Sequence, residues 1–180
     1  MKKIAWIFAL ALVVGLVPAM ADSWTWTFTD SATNDLVASG TLSGSPGYGV
    51  GGLGFNITSG TITDTVNTIP YTGIIYADTT NPGNQATSPS GYFYYDDLLY
   101  PQANPILDND GLLFVGTFAG GASEINIYGP GTDAYTRYLN TGANDNGTFA
   151  IVATPDGGTT LSLLGLAIVG LAGLRRKLSR

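Results

Sequence analysis

The chain has 180 residues, no Cys, no His and a formal net charge of −6. The missing Cys excludes disulfides, thiolate nucleophiles and thiolate metal sites. The missing His excludes His-based triads, histidine acid–base chemistry and most zinc and copper centres. The charge is unevenly placed: between Asp22 and Thr154 stand twelve acids and a single base, Arg137, while the other six bases lie near the two ends. A middle segment near −11 repels nucleic acid and anionic lipid, so no nucleic-acid partner is expected, and it attracts divalent cations.

Residues 1–21 read as a signal peptide. Lys2 and Lys3 form a positive start, Ile4 to Val17 is an unbroken run of apolar residues and Gly, Pro18 breaks it, and Ala19 and Ala21 occupy the two small-residue positions that signal peptidase reads. The fourteen-residue apolar core is short against the roughly 20 residues of a spanning helix. That favours cleavage after Ala21 over an uncleaved anchor. Secretion then places residues 22–153 outside the cytoplasm as a single domain.

That domain reads as all-β. Trp24, Trp26 and Phe28 alternate with Thr25, Thr27 and Thr29, the period of two expected of a half-buried strand. After the polar turn 30–34, residues 36–42 form a second strand bounded by Gly40, Ser43, Gly44, Ser45 and Pro46. The Gly-rich stretch 47–54 is either a weak strand or a wide loop. Residues 55–58 and 61–66 read as two short strands of a hairpin turning at Ser59-Gly60. The phrases Ser-Gly-Thr-Leu-Ser-Gly at 39–44 and Ser-Gly-Thr-Ile-Thr-Asp at 59–64 are alike but too short to establish a repeat. Further strands are expected at 71–77, 111–118, 124–128, 135–139 and 147–152, with a loop at 78–90 and a dense aromatic run at 92–95. Nine or ten short strands separated by Gly and Pro imply an antiparallel β-sandwich or barrel-like domain.

The last residues break this pattern. Thr154, Pro155, Asp156, Gly157 and Gly158 make an exposed, turn-prone motif. Residues 159–174 are almost wholly apolar or Gly and suit a helix in lipid, where backbone groups must bond internally. Arg175, Arg176, Lys177 and Arg180 follow as a basic tail that would stay on the cytoplasmic side. The apolar segment is short for a hydrocarbon core of about 30 Å, and local thinning or the long basic stems would close the gap.

In this order of parts, residues 154–180 resemble the PEP-CTERM protein-sorting signal. The Thr-Pro-Asp-Gly-Gly start is similar to the VPDSG or VPDGG variants, with Thr154 in place of the usual Val. The resemblance implies recognition by an exosortase, a membrane enzyme with its own catalytic Cys. It implies a cut near Pro155 and Asp156, and release or transfer to the cell surface or extracellular matrix. It also implies an inner-membrane stage before processing and an association with exopolysaccharide or biofilm. The blocks at 95–100, 107–114, 124–128 and 147–149 resemble domains that carry this tail, and they bring no established chemistry.

Within the domain three sites are open. Asp108-Asn109-Asp110-Gly111 places side-chain oxygens two residues apart beside a Gly, which suits either calcium at Asp108 and Asp110 or a plain polar turn. Tyr92, Tyr94 and Tyr100 form a candidate glycan platform, against the alternative of core and edge packing. Asp96 or Asp97 with Glu124 supplies the paired carboxylates of a weak glycan-active enzyme. The leading expectation is a noncatalytic exported protein without a required cofactor, followed by a carbohydrate-binding module and then by such an enzyme.

Overall fold

A computed structural model describes residues 23–66, 69–154 and 165. The signal peptide with Ala19 and Ala21 lies outside the described residues. So do Pro155, Asp156, Gly157 and Gly158, the apolar segment 159–174 except Gly165, and the basic residues Arg175, Arg176, Lys177 and Arg180. Among the described residues no helix is long and apolar enough to cross a membrane.

The strands are β1 (Ser23–Asp30), β2 (Leu36–Tyr48), β3 (Gly54–Val66), β4 (Ile69–Ile75), β5 (Ala86–Thr87), β6 (Tyr94–Tyr95), β7 (Leu98–Leu99), β8 (Leu112–Phe118), β9 (Gly121–Gly131), β10 (Ala134–Leu139) and β11 (Asn144–Ala153). Eight of them close an antiparallel barrel in the order β1-β2-β3-β4-β8-β9-β10-β11, and β11 returns to pair with β1. Every barrel ladder except that seam joins barrel strands that follow one another in the chain. The all-β expectation resolves to a barrel because a closed sheet leaves no long unpaired edge.

Alternation decides what faces inward. Trp24, Trp26 and Phe28 on β1 are buried with Leu42, Ile57, Ile62, Tyr71, Phe114, Ile125, Ile127 and Phe149 from the other walls. Trp26 lies between Phe114 and Phe149, with ring centroids 5.4 and 5.5 Å away, and Trp24 meets Phe55 edge-on at 4.8 Å. An eight-strand barrel is just wide enough for side chains to fill its interior, and these aromatics do so.

The hairpin expected at Ser59-Gly60 is not formed. β3 runs straight through both residues, paired with β2 as Ser43↔Ser59, Leu42↔Gly60, Thr41↔Thr61 and Gly40↔Ile62. The two similar phrases are therefore partners across one ladder, centred on Thr41 and Thr61, whose hydroxyls lie 3.0 Å apart. Gly40 and Gly60 each face the large residue of the other phrase. Gly40 also lies opposite Trp26, and a Cβ there would fall 1.8 Å from the Thr61 carbonyl oxygen and 2.8 Å from Trp26 Nε1. These glycines serve close approach rather than a turn.

Several strands are longer than expected. β2 continues through Pro46: beyond Ser43, the partner of Ser23, it pairs among the described residues only with β3, and such an edge accepts a residue without N–H. The Gly-rich stretch divides into the end of β2, one 3-10 turn at Val50–Gly52 and the start of β3. Gly47, Gly49, Gly51 and Gly52 supply positive φ to it.

One buried ion network interrupts the apolar interior. Arg137 on β10 bonds Asp64 of β3, diametrically opposite in the barrel order, and Asp145 of neighbouring β11. Burial lowers the guanidinium pKa, but the two carboxylates more than offset this and leave it raised. The only base among the described residues is thus consumed inside the fold.

Residues 76–111, between β4 and β8, send Leu99 and Leu107 into the main core and build a second layer on β8 around Leu113. There β5 pairs with β6 and β7 adds to β3. Leu113 points outward from β8 and joins Phe93 and Tyr95 in a second small core, with Ala86 and Tyr138 at its margin.

Candidate functional site

The outer wall carries an open aromatic cleft. Phe93 and Tyr95 are buried in the second core, so alternation turns Tyr92 and Tyr94 outward, at 53% and 63% exposure. The same alternation brings Asn126 and Tyr128 out of β9, opposite Leu113 and Thr136 respectively, and Tyr138 out of β10, opposite Asn126. These residues, with Asn109 and Asp110 from the preceding loop, line a cavity of about 340 Å³.

Its aromatic wall is held in place. The Tyr92 and Tyr138 rings are 5.9 Å apart and stacked at 29°, and the Tyr92 hydroxyl donates to that of Tyr138 at 3.2 Å. This hydrogen bond, ahead of desolvation, raises the Tyr92 pKa. Phe93 contacts both rings edge-on, at 4.9 and 5.9 Å. Asn126 Nδ2 donates to the carbonyls of Tyr94 and Asp110 at 3.0 and 2.9 Å, while its buried Oδ1 has no partner. Gln85 Nε2 donates to Asp110 Oδ1 at 2.8 Å and fixes the rim.

Of the three tyrosines read as a glycan platform, the structure brings Tyr92 and Tyr94 together. Tyr100 sits elsewhere, half-buried against Gly49 and Gly54, where its ring fills the space that their side chains would need. Sequence reasoning did not include Tyr128, Tyr138 and Asn126. A signal for them was present: Glu124-Ile125-Asn126-Ile127-Tyr128 alternates polar and apolar residues, which puts Asn126 and Tyr128 on one face.

The acidic residues anchor the outer segment. Asp97, at φ 53° and almost wholly buried, accepts the Leu113 N–H at 3.0 Å, and burial pushes its carboxyl well above the usual range. Asp96 accepts the Leu98 N–H at 3.1 Å. Its pKa is pushed up to about 8, by burial first and then by Asp108, which also shares a hydrogen bond with it. Asp108 Oδ1 accepts the N–H groups of Asp110 and Gly111 at 3.0 and 3.1 Å, the geometry of a polar turn. No group of three or more acidic side chains among the described residues is arranged to hold a metal ion. Glu124 takes the Ser90 N–H at 2.8 Å and the Ser90 hydroxyl at 2.5 Å, which ties the outer segment to β9.

At the other candidate site, the junction with the tail, the Thr154 N–H donates to the Ser23 carbonyl at 2.9 Å. The last ladder pair of β11 is Ala153 with Trp24, so the motif begins where the barrel ends. No curated protein and no solved structure matches the chain. Residues 155–178 match the VPDSG-CTERM motif, a match that starts immediately after the unusual Thr154. The C-terminal segment is therefore a sorting signal of the PEP-CTERM type, the mark of an exported protein directed to the cell envelope.

Proposed function

We propose that the chain is a noncatalytic protein of the cell surface or extracellular matrix, processed by signal peptidase after Ala21 and by an exosortase near Pro155-Asp156. The observation that carries this reading is the motif match over 155–178. Its position supports the same reading, since β11 completes its ladder at Ala153 and a cut beyond it leaves every described strand pairing intact. Before the cut, residues 159–174 hold the chain in the inner membrane, with Arg175, Arg176, Lys177 and Arg180 as the cytoplasmic stop. After it, the domain is free to join the exopolysaccharide or biofilm outside. A barrel whose interior is filled by its own aromatics suits a stable exported scaffold.

Intact mass of the protein recovered from envelope and medium, in cells with and without the exosortase, tests the proposal. The expected result is a mature chain lacking both end segments, and a species retaining the tail when the exosortase is absent. Cytoplasmic protein with both ends intact would sink it.

A further inference from the structure

We propose that the Tyr92–Tyr138 cleft binds a neutral polysaccharide. This gives the exported domain a ligand and goes beyond the sorting reading, on which it does not depend. Three independent observations converge on the cleft.

The first is the pairing of aromatic faces with hydrogen-bonding groups. A pyranose ring presents C–H groups on its faces and hydroxyls around its edge. Such a ligand needs an aromatic surface to lie on and polar atoms beside it. Tyr92, Tyr94, Tyr128 and Tyr138 supply rings and hydroxyls in one concavity, and Asn109 and Asp110 supply amide and carboxylate groups at its rim. The volume of about 340 Å³ lies at the lower end of the roughly 300–1,000 Å³ of small-ligand sites.

The second is Asn126. It is only 3% exposed, both donors of its amide are used on the carbonyls of Tyr94 and Asp110, and it lines the cleft. Its Oδ1 remains without a hydrogen-bond partner. A buried acceptor left unpaired costs free energy; this oxygen has almost no accessible surface, so a sugar hydroxyl completes it only where the cleft wall gives way on binding.

The third is charge. The only base among the described residues, Arg137, is buried between Asp64 and Asp145 inside the barrel. The cleft itself carries Asp110. A polysaccharide with carboxylate or sulfate groups meets repulsion there and no cation to pair with. The site therefore selects a neutral chain. Its rings are also held in place before binding, because Phe93 packs edge-on against both Tyr92 and Tyr138, which limits the ordering cost.

The test uses the mature protein recovered from the medium or envelope. It is titrated against neutral dextran, β-glucan and galactomannan, against anionic alginate and hyaluronan, and against the polysaccharide of the producing cell. Saturable binding to at least one neutral chain, at least tenfold stronger than to either anionic one, is expected. Tyr138→Ala and Tyr94→Ser should each weaken it at least tenfold, whereas Tyr100→Phe, outside the cleft, should not change it. Tyr94 is largely exposed, so its variant separates lost contact from lost folding, and a melt of each variant confirms this. Absence of binding to every neutral chain, preference for the anionic ones, or binding that survives both cleft substitutions in folded protein would overturn the inference.

Discussion

Replacing Asp96 by Asn should make the domain more stable at neutral pH and leave it unchanged in acid. In the folded chain Asp96 is buried, hydrogen-bonded to Asp108, and its pKa is raised to about 8, whereas an unfolded Asp titrates near 4. The folded state therefore holds a proton that the unfolded state releases. Its contribution to stability is full below about pH 4 and is lost progressively as pH rises to about 8. At about 1.4 kcal/mol per pH unit, the loss accumulated by pH 7 is on the order of 4 kcal/mol, a large share of the roughly 5–15 kcal/mol available to a domain. Asn keeps an oxygen for the Leu98 N–H and offers a permanent N–H toward Asp108, so it mimics the protonated acid. Urea unfolding followed by the fluorescence of buried Trp24 and Trp26, at pH 4 and pH 7.5, measures the difference. The variant should gain several kcal/mol at the higher pH and nothing at the lower. An equal change at both values, or a loss at pH 7.5, would show that Asp96 is ionised in the fold and refute the reasoning.

Other outcomes are equally open to measurement. Gly40→Ala sets a methyl group 1.8 Å from the Thr61 carbonyl and should cost more than the ~1–3 kcal/mol of ordinary overpacking, visible as a collapse of the urea midpoint. Arg137→Met leaves Asp64 in the interior without its guanidinium and should cost about 3–5 kcal/mol; adding Asp64→Leu should restore part of it, and a double-mutant cycle gives the coupling. Substituting Ala for both Pro155 and Asp156 should cause the tail-bearing form to accumulate in the membrane fraction, read by intact mass, with no change in the melting of the domain.

Legibility in the sequence followed how local each cause was. β1 was readable because its aromatic face is core and its threonine face is solvent, so the period of two stands in the residues themselves. Gly60 was misread because Ser-Gly is chemically a turn signal, and only the Leu42 side chain across the ladder reveals why a strand needs it. Barrel closure between β1 and β11 leaves no local trace, since it depends on the summed twist and register of all eight strands. In the cleft, Tyr92 and Tyr94 stood out by density. Tyr138 belongs there because Leu113 and Phe93 form a core outside the barrel, and strands as short as β5 and β6 are too brief to announce a buried face. Arg137 was visible as the lone base, but its inward direction followed only from its place between Tyr135 and Leu139, both core residues.

The seam between β1 and β11 also sets when this protein can fold. All the other barrel ladders join barrel strands that follow one another in the chain, and they can form as the chain emerges. The last ladder needs Trp24 to meet Ala153, a closure across nearly the whole domain and the kind of long-range contact that slows folding. Until the residues just ahead of the sorting motif have crossed, the sheet stays open with two exposed edges, competent to pair with other chains. The barrel can therefore shut only once the chain up to Ala153 is available, immediately ahead of the residues that match the sorting motif.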